Sequence, residues 1–395
     1  MSRAVLTTNA GSSSVKFALF VGAGLACTLR GEIEDLGADP HFRAADPHGV
    51  TLVERRFEGA AGGFDAVLHA LLDFVDDHLG DAQLAAVGHR VVHGGADHGA
   101  PARVTPILLA ALAALTPLDP LHMPLNLAPI RAVAAARPGL AQVACFDTAF
   151  HHDMPEMARI VPIPRALAGR LVRRYGFHGL SYEYIATRLV EVAPKLAAGR
   201  VIVAHLGSGA SLCAMLGGRS IETTMSFSAL DGLVMATRCG TIDPGVLLYL
   251  GQQGRSVSDI EDILYRRSGL LGVSGISGDV RVLLASADPH ARVALDLFVY
   301  RIVGEIGRLA MALGGLDGIV FTAGVGEHAA PVREAVCARL AWLGASLDTI
   351  ANDRSDSRIS LADSAIEIRV IATDEETMIA RHTARLTAIS TEKQA

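Results

Sequence analysis

The sequence predicts an α/β protein of two domains. Three observations carry that expectation. The chain has 395 residues, half of them hydrophobic, which is more than one core usually organises. Apolar strand segments alternate with helical patterns. Two strand–turn–strand segments with Gly/Ser-rich turns lie roughly half a chain apart, so each half presents one.

The first such segment runs from the apolar strand 4–9 through Ala10, Gly11, Ser12, Ser13 and Ser14 into a second strand at 15–20. Small turn residues between apolar runs are a hairpin signal. Residues 37–62 are charged and Gly/Ala-rich, which places them at the periphery. Helical patterns follow at 64–79 and 106–115. The stretch 107–130 is the most apolar of the chain. Pro117, Pro120, Pro124 and Pro129 interrupt it, and Asp119, His122 and Asn126 sit within it, so a membrane span is not expected. A short apolar strand, Val143 to Phe146, ends at Asp147, and a domain boundary is expected near 148–155.

Helical patterns cover 165–175 and 182–190, and then the second hairpin begins. Its strands are 201–206 and 210–215, joined by Gly207, Ser208 and Gly209. Helices are expected at 258–267, 289–313 and 331–343. A third Gly-rich strand exit follows 318–322 at Ala323, Gly324, Val325 and Gly326, and a last strand precedes Asp374, Glu375 and Glu376.

Composition narrows the function classes. Charged residues make up 19% of the chain and the net charge is -6, so nothing supplies the basic field that a nucleic-acid binder needs. The five cysteines (Cys27, Cys145, Cys213, Cys239, Cys337) form no CxxC pair and show no zinc spacing, which suits a reducing compartment. The chain begins Met-Ser-Arg and enters a strand at once, so no signal peptide is expected. A cytoplasmic location follows.

Small turn residues leave backbone N–H groups free to converge on phosphate oxygens. Asn9, Ser12, Ser14 and Lys16 add side-chain donors to the first turn. No GxxxxGK[ST] loop occurs. Arg90, in G-H-R-V-V-H-G-G, and Arg238, in A-T-R-C-G-T-I-D-P, are flanked by apolar residues and glycine rather than by a polar surface. A planar guanidinium that never loses its charge suits a transferring phosphoryl group. Asp147 lies at the C-terminal end of its strand, where open α/β sheets place ligands, and a carboxylate there suits Mg²⁺. Glu375 fits the same description, although on its own it reads more simply as helix capping. His122 and His178 could each meet a phosphate or a carboxylate, or be packed structural histidines. His89 and His93 have helical zinc spacing but lie in a strand pattern without HExxH, so no metal role is expected. His151 and His152 read as ordinary loop residues.

Eight segments in order resemble the acetate kinase family: N-A-G-S-S-S-V-K-F, G-H-R-V-V-H-G-G, F-D-T-A-F-H, R-R-Y-G-F-H-G, H-L-G-S-G-A-S, T-R-C-G-T-I-D-P, F-T-A-G-V-G-E and T-D-E-E-T-M-I-A. The resemblance covers the chain from Asn9 to Arg381. It implies the two-domain actin-like ATPase fold of duplicated ribonuclease H-like domains, with a nucleotide cleft between them. The expected domains are 1–150 with 377–395, and 151–376. It implies phosphoryl transfer from ATP to a carboxylate with Mg²⁺, or Mn²⁺ in its place, and a homodimer. Asn9, Arg90, His122, Asp147, His178 and Arg238 would then surround the transferring group. Asn9, Asp147 and Glu375 would hold the metal. Ser12, Ser14, Lys16, His205, Gly207, Ser208 and Gly209 would serve the phosphates. Asp279, Val280, Arg281, Ala323, Gly324 and Val325 would frame the adenosine, and Val92, Leu121 and Phe177 would line the pocket for the acid's apolar end.

Two departures stand out. Ser208 replaces a common Asn and reaches less far. Ala229 replaces a proline in the acid pocket, which widens it. One methylene is worth only about 1–3 kcal/mol in an apolar pocket, so acetate and propionate both remain open as acceptors. A non-catalytic ATP-binding module on the same fold is the alternative from another class.

Overall fold

The computed structural model describes residues 2–11, 14–36, 39–57 and 64–388. The chain divides into two compact units. The first holds the chain up to Ala149 and again from Asp374, and the second is Phe150–Thr373.

The first unit is built on one eight-stranded sheet. Its strands are β1 (Arg3–Ala10), β2 (Val15–Val21), β3 (Ala26–Glu34), β4 (His41–Ala45), β5 (Thr51–Arg56), β6 (Gln83–Val91), β7 (Ala102–Arg103) and β8 (Ala141–Phe146), in the order β5-β4-β3-β2-β1-β6-β8-β7. β1 to β5 form an antiparallel meander, and β6 and β8 extend it in parallel from β1. Strands buried on both faces read as continuous apolar runs, and β1 and β2 do. Leu6, Phe17 and Leu19 pack with Leu71, Leu72 and Val75 of the helix Phe64–Asp77. The alternating residues Val5, Ala18 and Phe20 pack with Ala380 and Ala384 of the helix Glu375–Leu386. That helix lies so close to β6 that a Cβ on Gly88 would come within 2.2 Å of Thr383 Oγ1.

The second unit carries a five-stranded sheet of β9 (Arg200–Leu206), β10 (Ala210–Leu216), β11 (Arg219–Thr223), β12 (Gly318–Thr322) and β13 (Glu367–Val370), ordered β11-β10-β9-β12-β13. β9, β10 and β11 are antiparallel, while β12 and β13 run parallel to β9. The core of the first sheet, β3-β2-β1-β6-β8, repeats this arrangement strand for strand. Three antiparallel strands followed by two parallel ones are therefore present twice, as the paired hairpins in the sequence suggested. Tyr182, Ile185 and Leu189 of the helix Gly179–Val192 cover Val201, Val203, Cys213 and Val320. The helix Pro289–Leu313 packs against β9, β10 and β11.

Three expectations need correcting. The helix expected at 165–175 is only Arg165–Ala168, because Gly169 turns to φ 52° and the chain beyond it bonds elsewhere: Tyr175 and Gly176 donate to the Ser226 carbonyl. The helix expected at 331–343 is Ala330–Arg339, followed by a 3-10 turn at Ala341–Leu343. The peripheral segment 37–62 contains β4 and the edge strand β5, while its residues 37–38 and 58–62 lie outside the described residues. Among the described residues no helix is long and apolar enough to cross a membrane.

Candidate active site

In the first unit the C-terminal ends of parallel strands converge, and three expected residues meet there. Asn9 comes from the end of β1, Arg90 from β6, and Asp147 follows β8 directly. Asp147 is fully buried. Arg90 Nε donates to both Asp147 oxygens at 2.9 and 3.0 Å, and Nη2 reaches Oδ2 at 2.5 Å. The other guanidinium nitrogen, Nη1, donates to Asn9 Oδ1 at 3.0 Å. Asn9 Nδ2 then donates to Glu375 Oε2 at 3.0 Å, which places Glu375 4.0 Å from Arg90 Nε. Burial favours the neutral form of Arg90, but the Asp147 and Glu375 charges outweigh it and hold the guanidinium charged.

Glu375 starts the last helix, as the capping reading held, although the cap itself is Asp374, which accepts from the Thr377 N–H at 2.8 Å. Its own carboxylate faces the cluster instead. Burial, with Asp147 and Glu376 nearby, raises its pKa to about 7 against the pull of Arg90 and the Asn9 amide. Two carboxylates, the buried Asp147 and the half-buried Glu375, share one guanidinium, so the cluster lacks positive charge, and hard oxygen donors in that state fit a divalent cation. Among the described residues no group of three or more His, Cys, Asp or Glu side chains is arranged to hold a metal by itself. Magnesium typically takes only one or two protein carboxylates, with water and phosphate completing its shell.

The other first-unit residues lie around this cluster. Lys16 pairs in register with Asn9, so both side chains leave the same face, and Lys16 lines a groove with Arg30, Glu32 and Arg43. The Ser14 carbonyl accepts from Gly11 N–H at 2.8 Å and closes the turn; Ser12 lies outside the described residues. Val92 is buried and Leu121 half-buried. His122 does not join the Arg90 network. Its Nδ1 meets Asp119 Oδ1 at 2.9 Å, and that pairing outweighs burial to hold the Asp119 carboxyl below its usual range.

A second cluster forms within the second unit around the β9–β10 turn. Gly207 N–H donates to the Gly209 carbonyl at 3.0 Å, and the exposed Ser208 gives its carbonyl to Ala236 N–H at 3.1 Å. A Cβ on Gly209 would sit 3.2 Å from His178 Nε2 and 3.6 Å from Arg238 Nη1, so both side chains face the bare glycine. His178 adopts φ 59° at the start of the helix Gly179–Val192 and bonds Ser211 Oγ through Nδ1 at 2.8 Å. Ser211 in turn meets the Tyr182 hydroxyl at 2.5 Å. His205 stacks on His178 with ring centres 4.1 Å apart. Arg238 Nη1 donates to the Ala229 carbonyl at 3.1 Å. Phe177 is buried, and its carbonyl accepts from His151 Nε2 at 2.9 Å. His151 is thus a buried structural residue rather than the loop residue expected.

The third Gly-rich segment borders the same turn. Ala323 opens a short helix, Ala323–His328, at φ 63°, a strained value for alanine, and its Cβ lies 3.7 Å from where one on Gly207 would be. Glu327 holds it there by accepting from the N–H groups of Ala323 (2.8 Å) and Thr373 (3.1 Å). Gly324 is exposed and Val325 half-buried. Asp279 caps the helix Val280–Ala285 and pairs with the exposed Arg281 at 2.6 Å, while the Val280 side chain enters the core. Gly278 presses on the Ala236 carbonyl, where a Cβ would fall 2.7 Å away, and so ties this segment to the Arg238 loop.

The sequence profile of the Acetokinase family matches residues 4–381. The chain belongs to that family. A relative named acetate kinase from Rhodopseudomonas palustris (strain TIE-1) is 53% identical over 98% of this chain and 99% of its own. Among solved structures, a propionate kinase from Francisella tularensis is similar with TM-score 0.90 and 36% identity, covering 97% of this chain and all of its own. An acetate kinase from Porphyromonas gingivalis has TM-score 0.87 and 34% identity, covering 97% and 99%. The actin-like α/β fold class expected from the sequence holds.

Reading the motifs of this acetokinase residue by residue missed Asp119, Ser211, Glu327 and Asn126, which fix the expected residues without belonging to them. Glu327 stands in a quoted motif. Asn126 had another signal, a polar residue in an otherwise apolar stretch. Glycines also set the Arg238 loop. Gly240 has φ 68°, and a Cβ there would meet the Leu233 carbonyl oxygen at 2.3 Å, a backbone atom that cannot swing away. Gly240→Ala is expected to destabilise the protein by about 3 kcal/mol, combining left-handed strain with overpacking. Urea unfolding checks it, and a midpoint equal to the parent's overturns it.

Proposed function

We propose that this acetokinase transfers the terminal phosphoryl group of ATP, with Mg²⁺, onto the carboxylate oxygen of acetate, giving acetyl phosphate and ADP. The observation that carries this reading is the half-buried Arg90, held from one side by Asp147 and from the other by Asn9 beside the carboxylate of Glu375.

An acetate ion is already anionic at neutral pH, so its oxygen attacks phosphorus without a general base. The new O–P bond forms as the bond to the β-phosphate oxygen breaks, and ADP leaves with that electron pair. The barrier lies in bringing two anions together and aligning them. Arg90 and Arg238 supply permanent positive charge for this, and fixed dipoles need no rearrangement as charge moves. Asp147 fixes the Arg90 plane, Asn9 sets its far edge, and His178 adds a donor beside Arg238. Asn9, Asp147 and Glu375 would hold the metal, which when bound neutralises phosphate oxygens. The turn 207–209, Lys16, Ser12, Ser14 and His205 serve the phosphates, and Asp279, Val280, Arg281, Ala323, Gly324 and Val325 the adenosine. Val92, Leu121 and Phe177 contact the acid's methyl group, with His122 at the substrate end.

Propionate is the second acceptor to weigh, because Ala229 leaves room in the acid pocket and the Francisella protein is named a propionate kinase. A homodimer is supported by the helix Pro244–Gln252, which is strongly apolar yet buries none of its residues, with Leu248 68% exposed. A cytoplasmic site of action fits five free thiols.

The test mixes the protein with ATP, Mg²⁺ and each of acetate, propionate and butyrate, and traps acyl phosphate as its hydroxamate. Hydroxamate is expected with acetate, and kcat/KM ranks the acids. ATP hydrolysis with no hydroxamate from any of the three acids would return the reading to a non-catalytic or chaperone-like module.

A further inference from the structure

The ladder between β1 and β6 stops one residue short of the site. Its last register pair is Thr8 with His89, so Asn9 and Arg90 stand beyond the final pair. Beyond that pair each strand keeps its other neighbour, β2 through Ala10 and β8 through Val91, but no backbone bond joins β1 to β6 directly. Arg90 reaches Asn9 across the gap through its own side chain, and Asn126 ties the two backbones there. Asn126 lies on the helix Met123–Ala136, is 2% exposed, and makes two short bonds in opposite directions. Its Oδ1 accepts from the Val92 N–H at 2.7 Å, and its Nδ2 donates to the Ala10 carbonyl at 2.7 Å. The partners fix the amide's orientation, since one is only a donor and the other only an acceptor.

We propose that Asn126 is a positioning residue for phosphoryl transfer: its carboxamide stands in for the missing rung and holds Asn9 and Arg90 in register. A primary amide has the donor and acceptor of a peptide group, so it can join two strand ends where the backbone no longer does. Ala10 is the next residue after Asn9, and Val92 is two beyond Arg90. The same helix begins at His122, whose carbonyl accepts from the Asn126 N–H at 2.9 Å, so three expected site residues share this anchor. Small displacements matter here, because misplacing a reacting group by about 1 Å can cost on the order of 100-fold in rate.

The proposal rests on the functional reading above. Asn126→Ala removes both bonds. Asn126→Asp, nearly the same shape, keeps the acceptor for Val92 but turns an oxygen toward the Ala10 carbonyl. Each is expected to lower kcat for acetyl phosphate formation by about 30- to 100-fold, with the KM for acetate changed by less than about threefold. A residue that only stabilises the fold would not move the second readout, a double-mutant cycle. In an Arg90→Ala background, Asn126→Asp is expected to cost no more than about threefold further, because Asn126 acts through the group already gone. Full additivity in that cycle overturns the proposal, and so does a kcat within threefold of the parent in the Asn126→Asp protein. If Asn126→Ala does not fold, the Asn126→Asp cycle decides alone. A parent chain that makes no acyl phosphate ends the functional reading instead, and that result is distinct from either.

Discussion

Arg90→Ala and Arg238→Ala are each expected to lower kcat for acyl phosphate formation by roughly 10³-fold, the scale of losing an arginine that meets the transition state in phosphoryl transfer. The two losses have different origins. Arg90 is bound on three sides by Asp147, Asn9 and Glu375, so its removal also leaves buried Asp147 without its counter-charge. Breaking a buried pair in that way costs about 3–5 kcal/mol of stability, so Arg90→Ala should unfold at lower urea as well as turn over slowly. Arg238 bonds a backbone carbonyl, that of Ala229, so Arg238→Ala should keep more of the parent's stability while losing similar activity. Arg90→Lys keeps the charge but has no planar fork to span Asp147 and Asn9 together, so it is expected to stay at least about tenfold below the parent. Single-turnover rates on proteins shown folded by circular dichroism test this. Losses of about tenfold or less in both alanine variants would remove the arginines from the mechanism.

Acid should destabilise the protein well above the range where ordinary carboxylates titrate. His89, His93 and His151 are buried, and burial lowers each pKa from 6.5 to about 4. His93 Nδ1 accepts from the Gly95 N–H at 2.8 Å, which requires the neutral ring. His89 Nε2 meets Gln142 Oε1 at 2.8 Å, so the neutral ring carries its proton there and Nδ1 accepts from the Thr8 hydroxyl at 2.8 Å. His151 likewise gives Nε2–H to the Phe177 carbonyl and accepts from Ser220. Between pH 6.5 and 4 the unfolded chain binds protons that the folded chain refuses. Stability is therefore complete above pH 6.5 and falls as pH drops toward 4, by roughly 3 kcal/mol for each histidine over that span. Glu375 works the other way. With its pKa raised from 4.5 to about 7, the folded state holds the extra proton, so acidification through that window adds stability to the first unit and offsets one of its two histidines. His151 lies in the second unit, so His151→Gln should lessen that unit's loss of stability on acidification. Urea midpoints from pH 7 to 4.5 check this; a constant midpoint across that range would rule out neutral, buried histidines.

Much of the fold was legible because its signals are local. Apolar strands ending in Gly/Ser turns marked both hairpins, and the pattern over Pro289–Leu313 gave that helix its observed bounds. Where tertiary partners decided, the reading failed. Residues 170–175 have a helical pattern, yet the Ser226 carbonyl captures the Tyr175 and Gly176 N–H groups instead. His151 read as a loop residue until the fold packed it against Phe177 and Ser220.

By itself the sequence determined the α/β class, the two Gly-rich turns, the family motifs and the residues able to carry charge into a site. Those properties depend on residue type and spacing along the chain. Only the tertiary structure decided that Asn9, Arg90, Asp147 and Glu375 form one hydrogen-bonded network, that Glu375 is held near neutrality, and that Asn126 ties two strand ends together. Residues hundreds of positions apart share a dielectric environment and a set of donors only once the chain has folded, and ionisation and hydrogen bonding respond to that environment rather than to sequence order.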